Sequence, residues 1–146
     1  MSNLKPTDRG ALVGAIDPDA NAAGAVSTGW IAAKDYSWFL AVVFAGTLGA
    51  AATLDAKIEQ ATSAAGAGAK DIAGKAITQL TKAGGDDDKQ AMINVNQEDL
   101  DQANGFTHIR LTMTTGVAPG RPNGIAWNTD NLLGHMAGDK KVRDGA

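Results

Sequence analysis

The sequence predicts an all-β fold, an antiparallel β-sandwich or small jelly-roll-like barrel with an extended N-terminal arm and an irregular C-terminal tail. Three observations carry this reading. Apolar and polar residues alternate at period two over several short stretches, the mark of strands with one buried face. Turn chemistry falls between those stretches, at Ala64 to Ala69, at Gly84-Gly85-Asp86 and at Asn104-Gly105. Only Gln97 to Gln102 reads as helical, and it is a short turn.

Residues 1–33 hold Pro6, Pro18 and small-residue runs such as Ala22-Ala23-Gly24-Ala25 with no sustained period, so they are expected to form the arm. Its apolar anchors are Leu4, Leu12, Val13, Ile16, Val26, Trp30 and Ile31. Deleting the arm should leave the domain folded.

The β-sandwich domain is expected over residues 34–118. Trp38, Leu40, Val42 and Phe44 lie on one face of the first strand, and Phe39, Ala41, Val43 and Ala45 on the other. That pattern predicts a central strand covered on both sides, so Val42→Asp should abolish folding. Gly46 to Ala52 reads as a hairpin-type connection to a second strand, in which Leu54, Ala56 and Ile58 alternate with Asp55, Lys57 and Glu59. Ile72 to Leu80 reads as a third strand with a bulge at Gly74. Ala91, Ile93 and Val95 mark a fourth, and Ile109, Leu111 and Met113 a fifth. Residues 119–146 form the C-terminal extension, which opens on the turn cluster Pro119-Gly120-Arg121-Pro122-Asn123-Gly124. A further strand near Ile125 to Trp127 and a frayed end from Gly138 to Ala146 are expected there.

A length of 146 residues suits one domain. The net charge of -3, with no basic cluster, argues against a nucleic-acid partner, which would need grouped Lys and Arg. Tyr36 to Leu54 is uncharged and long enough to span a bilayer. Gly46, Thr47, Gly49 and Thr53 weaken it, however, and leave a strand-length apolar core with no membrane partner expected.

Candidate chemistry is sparse. Without cysteine there is no thiol nucleophile, disulfide or thiolate metal site. His108 and His135 lack an HxxxH or HxH partner. The run from Ala69 through Gly74-Lys75-Ala76 looks like a phosphate-binding loop, but Ala69 replaces the glycine of the backbone cradle and Ala76 the magnesium-binding hydroxyl. Asp86-Asp87-Asp88 lacks the alternate spacing and closing Glu of a calcium loop and reads as a solvated turn. Ser2, Ser27, Ser37 and Ser63 sit in no GxSxG elbow. Glu59 and Glu98, the candidates for a paired-carboxylate site, fall on separate elements. These readings point to no enzyme and no cofactor.

Whole phrases carry more information. Phe44-Ala45-Gly46-Thr47-Leu48-Gly49, Ala52 to Ala61, Lys70 to Thr81, Gly84-Gly85-Asp86, Glu98-Asp99-Leu100 and Ile109 to Gly116 together resemble small β-rich structural proteins of tailed-phage virions, encoded near the major capsid protein. The resemblance spans about residues 34–118. It implies a head decoration, or cement, protein on the capsid surface, made in the host cytoplasm. Its partners would be the major capsid protein and further copies of itself. A head-tail connector or tail role, and a host-surface-binding module on the virion, are the alternatives it leaves.

Overall fold

In the computed structural model, residues 3, 5–17, 23–116 and 133–140 are described. A single helical turn, Pro6–Arg9, precedes ten strands: β1 (Gly10–Ile16), β2 (Gly24–Ser27), β3 (Ile31–Ala32), β4 (Tyr36–Phe44), β5 (Thr53–Ala61), β6 (Lys70–Ala76), β7 (Leu80–Thr81), β8 (Gln90–Asn96), β9 (His108–Gly116) and β10 (Leu133–Lys140). They form two antiparallel sheets. The four-stranded sheet has the order β1-β10-β4-β8. The six-stranded sheet runs β2-β9-β5-β6, with β3 also on β9 and β7 also on β5. An all-β antiparallel sandwich is therefore the fold.

The alternating residues build the core as their period requires. Leu54 and Ile58 of β5, Ile109, Leu111 and Met113 of β9, and Val43 of β4 and Val95 of β8 each have 0% of their surface exposed. Phe39, Ala41 and Ile93 join them from the four-stranded sheet. The inner faces of both sheets thus meet in one apolar layer. Asp55, Lys57 and Glu59 face outward, as expected from one wet face.

The strand expected from Ile72 to Leu80 is divided. β6 ends at Ala76 and β7 begins at Leu80, with a register shift opposite β6 between Lys57 and Glu59. Gly74 lies in β6 with φ 76°, a conformation that spares a residue without Cβ. The short helical turn becomes two 3₁₀ turns, Gln97–Asp99 and Gln102–Asn104. The first is closed by a capping box: Asn96 accepts from the Asp99 backbone N–H, and the Asp99 carboxylate accepts from the Asn96 N–H at 2.8 Å.

Several expectations need correction. Gly46 to Ala52 is no hairpin, because β4 and β5 belong to different sheets; the segment crosses between them, with Leu48 and Ala52 buried on the way. β4 is central, but among the described residues only one of its sides is covered by a second layer. Phe39, Ala41 and Val43 are buried, whereas Leu40, Val42 and Phe44 are half-buried and Trp38 is 49% exposed.

The extended arm over 1–33 is also corrected. β1 pairs with β10, while β2 and β3 pair with β9, so this segment supplies strands to both sheets. Between β2 and β3, the buried Thr28 hydroxyl accepts from the Leu111 N–H at 3.1 Å and donates to the Gly29 carbonyl at 3.0 Å. The Thr28 N–H donates to the Leu111 carbonyl at 2.9 Å, which locks the segment to β9. Part of the irregular tail over 119–146 is likewise structural, because β10 lies between β1 and β4 and includes Gly138. The strand expected near Ile125 to Trp127 lies outside the described residues.

Candidate functional site

The outer faces of the two sheets differ in chemistry. On the six-stranded sheet, β5 and β9 pair Glu59 with Arg110 and Lys57 with Thr112. Glu59 accepts from Arg110 Nε at 2.7 Å and from the Thr112 hydroxyl at 2.6 Å, while Lys57 reaches Asp71 at 2.7 Å. Burial pushes the Glu59 carboxyl up, but the hydrogen bonds from Thr112 and Arg110 and the Arg110 charge outweigh it and hold it below the usual range. The hydrogen bond to Asp71 leads the causes that raise the Lys57 ammonium. Asp55 accepts from the Gln79 amide at 2.7 Å. This face is a solvated lattice of charges that satisfy one another.

The four-stranded sheet presents a different surface. Trp38, Leu40, Val42 and Phe44 of β4 lie opposite Asn96, Asn94, Met92 and Gln90 of β8, in a register without a shift. Met92 is 66% exposed and Leu12 of β1 is 65% exposed. Among the described outward side chains of this face, none is charged. Among the described residues, the β4 stripe and Met92 make an apolar surface bordered by the amides of β8, the composition of an interaction site and not of a solvent face.

At its Trp38 end the face borders a shallow recess of about 470 Å³ lined by Ser37, Trp38, Asn96, Gln97, Glu98 and Gln102. Gln97 fixes this corner, because its amide donates to the carbonyls of Ala33 and Tyr36, each at 2.6 Å.

The expected anchor residues have other roles. Ile16 and Ile31 are buried in the core, and Val13 and Val26 pack against it. Trp30 lies beneath the Arg110 guanidinium, 4.5 Å from the ring centroid. Gly66, with φ 82°, sits so close to Trp30 that a Cβ there would collide with Nε1. Only Leu12 of the set projects outward, and Leu4 lies outside the described residues. The surface instead centres on Trp38, Leu40, Val42, Phe44 and Met92. Their one sequence signal is the doubly apolar β4, which reads the same whether its second face is buried or bare.

The remaining candidates stay apart. Glu59 is engaged by Arg110 and Thr112, whereas Glu98 lies on the Gln97–Asp99 turn. Lys75 pairs with Asp99 at 3.2 Å, and its segment enters β6. His108 Nδ1 lies 2.8 Å from the Thr107 hydroxyl, on the exposed side of β9. Of His135, only its place in β10 is described.

The Asp cluster is a structural brace. Asp86 accepts from the Thr81 N–H at 2.9 Å and from Lys89 at 2.6 Å. Asp87 accepts from Lys82 and, at 2.9 Å, from the N–H of Leu48, which pins the crossover between the sheets. Among the described residues no group of His, Asp and Glu is arranged to hold a metal ion, and no helix is long and apolar enough to cross a membrane.

This bracing has a consequence for acid stability. Hydrogen bonds from Lys89 to Asp86, from Lys82 to Asp87 and from Lys70 to Asp101 hold all three carboxyls below their ordinary range. On acidification the unfolded chain takes up protons first. The contribution of these groups is therefore complete above the ordinary carboxylate range, about 4, and is lost as pH falls through the lower folded values. Urea midpoints should hold steady from neutrality to just above that range and drop below it. Asp87→Asn should shrink the drop, and an unchanged acid profile would show that the brace carries no stability.

Compared with family models, curated proteins and solved structures, the chain matches none.

Proposed function

We propose that this chain is a virion structural protein that docks, through the outer face of its four-stranded sheet, on the outside of a tailed-phage capsid and stabilises the shell. The single observation that carries the docking surface is the contrast between the exposed apolar stripe of β4 and Met92, bordered by the amides of β8, and the ion-paired face opposite. The resemblance of residues 34–118 to capsid-proximal virion proteins supplies the partner, the major capsid protein.

The mechanism is linkage. A protein that binds assembled lattice and not free subunits stabilises the assembly by its own binding free energy, multiplied over its copies. Leu40 and Val42 sit in the middle of the face, and burying each against a partner contributes roughly 1.5–3 kcal/mol when complete.

The test mixes heads assembled without this chain with wild type or with Leu40→Asp, then measures occupancy and the temperature at which heads open. Wild type should fill the heads and raise that temperature. The variant, folded by circular dichroism, should bind about a hundredfold more weakly. Equal occupancy by the variant would remove this face as the docking surface. Wild type that ignores heads but binds at the portal vertex would favour the connector role, and binding to neither would overturn the virion reading.

A further inference from the structure

The four lateral edges of the sandwich are not protected equally. Exposed strand edges invite pairing with another chain, and proteins blunt them with charges, bulges or brevity. β2 has only four residues. β1 is broken by a register shift between Leu12 and Gly14. β6 carries Lys70 and Asp71 and the bend at Gly74. β8, Gln90-Ala91-Met92-Ile93-Asn94-Val95-Asn96, has none of these: seven residues with no charge, no proline and an unbroken register with β4.

The backbone bonds show which of its groups are unused. Ala45 N–H donates to the Lys89 carbonyl at 2.8 Å, and those two residues continue the β4–β8 register. Hydrogen-bonded pairs in an antiparallel ladder recur at every second residue. Ala91, Ile93 and Val95 therefore bond to β4, and Gln90, Met92, Asn94 and Asn96 aim their N–H and C=O off the edge. The Asn96 N–H is taken by the Asp99 carboxylate, and beyond the other end of the strand the Asp88 N–H is taken by the Gly46 carbonyl at 3.2 Å. Between these stops, the edge-facing backbone groups of Gln90, Met92 and Asn94 have no partner among the described residues.

We infer that β8 pairs edge to edge with β8 of a second copy, in an antiparallel register centred on Met92. The open stretch is symmetric about that residue, as an isologous two-fold contact requires. Met92 then faces Met92, and Gln90 faces Asn94, so all six open N–H groups of the two strands meet carbonyls. The lack of charge on β8 removes the repulsion that a self-pairing edge must avoid. The two four-stranded sheets would become one continuous sheet with a doubled apolar face. The inference is independent of the capsid reading, because it concerns the isolated protein.

Sedimentation velocity of the full chain from about 1 to about 500 μM reads the association directly. The expected species is a dimer of 14.9 kDa chains. Met92→Lys sets two ammonium groups opposite each other and should raise the dissociation constant about a hundredfold or more. Asn94→Pro deletes an N–H that points away from β4, so the fold should survive while the dimer is lost. Hydrogen exchange supplies the register: Gln90 and Asn94 amides should be slow in the dimer and fast in Met92→Lys, with Ala91, Ile93 and Val95 slow in both. A wild type that stays monomeric overturns the inference. So does a dimer indifferent to both variants, or continued protection of Gln90 and Asn94 in a monomeric Met92→Lys.

Discussion

Val43→Asp is expected to yield no folded protein, whereas Val42→Asp, one residue away, folds. Val43 is 0% exposed between the two sheets, and the described core cluster to which it belongs, with Phe39, Ala41, Leu54 and Val95, is apolar and offers a carboxylate no cation. Burying a carboxylate without a partner costs several kcal/mol even after relaxation, and the lost packing of a valine adds to it. That sum approaches the whole stability of an ordinary domain, about 5–15 kcal/mol. Val42 points to the other side of β4 and is only half-buried, so its carboxylate stays in water. Thermal unfolding followed by circular dichroism separates the two. A cooperative transition in Val43→Asp near that of wild type, or an unfolded Val42→Asp, would mean that the faces of β4 have been exchanged. The folded Val42→Asp should also bind heads poorly, which makes it a second probe of the docking face.

The contrast between these two positions marks where the sequence is informative and where it is not. A strand that alternates, such as β5 with Leu54, Ala56 and Ile58 against Asp55, Lys57 and Glu59, declares its inner and outer faces through polarity. In β8 and β9 the alternation likewise marks Ile93, Val95, Ile109, Leu111 and Met113 as buried, although Thr112, on the polar side of β9, is buried as well under its bond to Glu59. β4 is apolar on both sides, and polarity then cannot distinguish a second core layer from a bare surface; only the neighbours decide. Here no layer of described residues covers its outer side. The candidate site was illegible for that reason, since it is made of the residues that look most like core. Sheet membership was equally hidden at Gly46 to Ala52, because a glycine-rich connection fits a hairpin and a crossover alike. The pin that distinguishes them, Asp87 on the Leu48 N–H, comes from far along the chain.

Removal of residues 1–33 should unfold the protein, not merely weaken its binding. The segment looks like an arm because glycine and alanine flatten its hydrophobic contrast: β1 reads Gly-Ala-Leu-Val-Gly-Ala-Ile, where small residues stand in for the polar ones of a normal alternation. Their smallness is functional. Gly14 lies so near Ile31 and Thr28 that a Cβ would approach to within 3.1 Å and 3.2 Å of their side chains, which draws β1 onto the segment between β2 and β3. Deletion takes Ile16, Ile31 and Ala33 out of the core and strips β10 and β9 of paired neighbours. Truncation of one buried isoleucine to alanine typically costs about 2–5 kcal/mol, so losing two such side chains with their strands should exceed the stability available. The truncated chain should lack a cooperative thermal transition, and a milder variant, Ile31→Ala, should unfold at lower urea with an unchanged slope. A truncated protein that melts cooperatively would restore the arm to an independent segment. Ile31→Ala at the wild-type midpoint would show that the core closes without it.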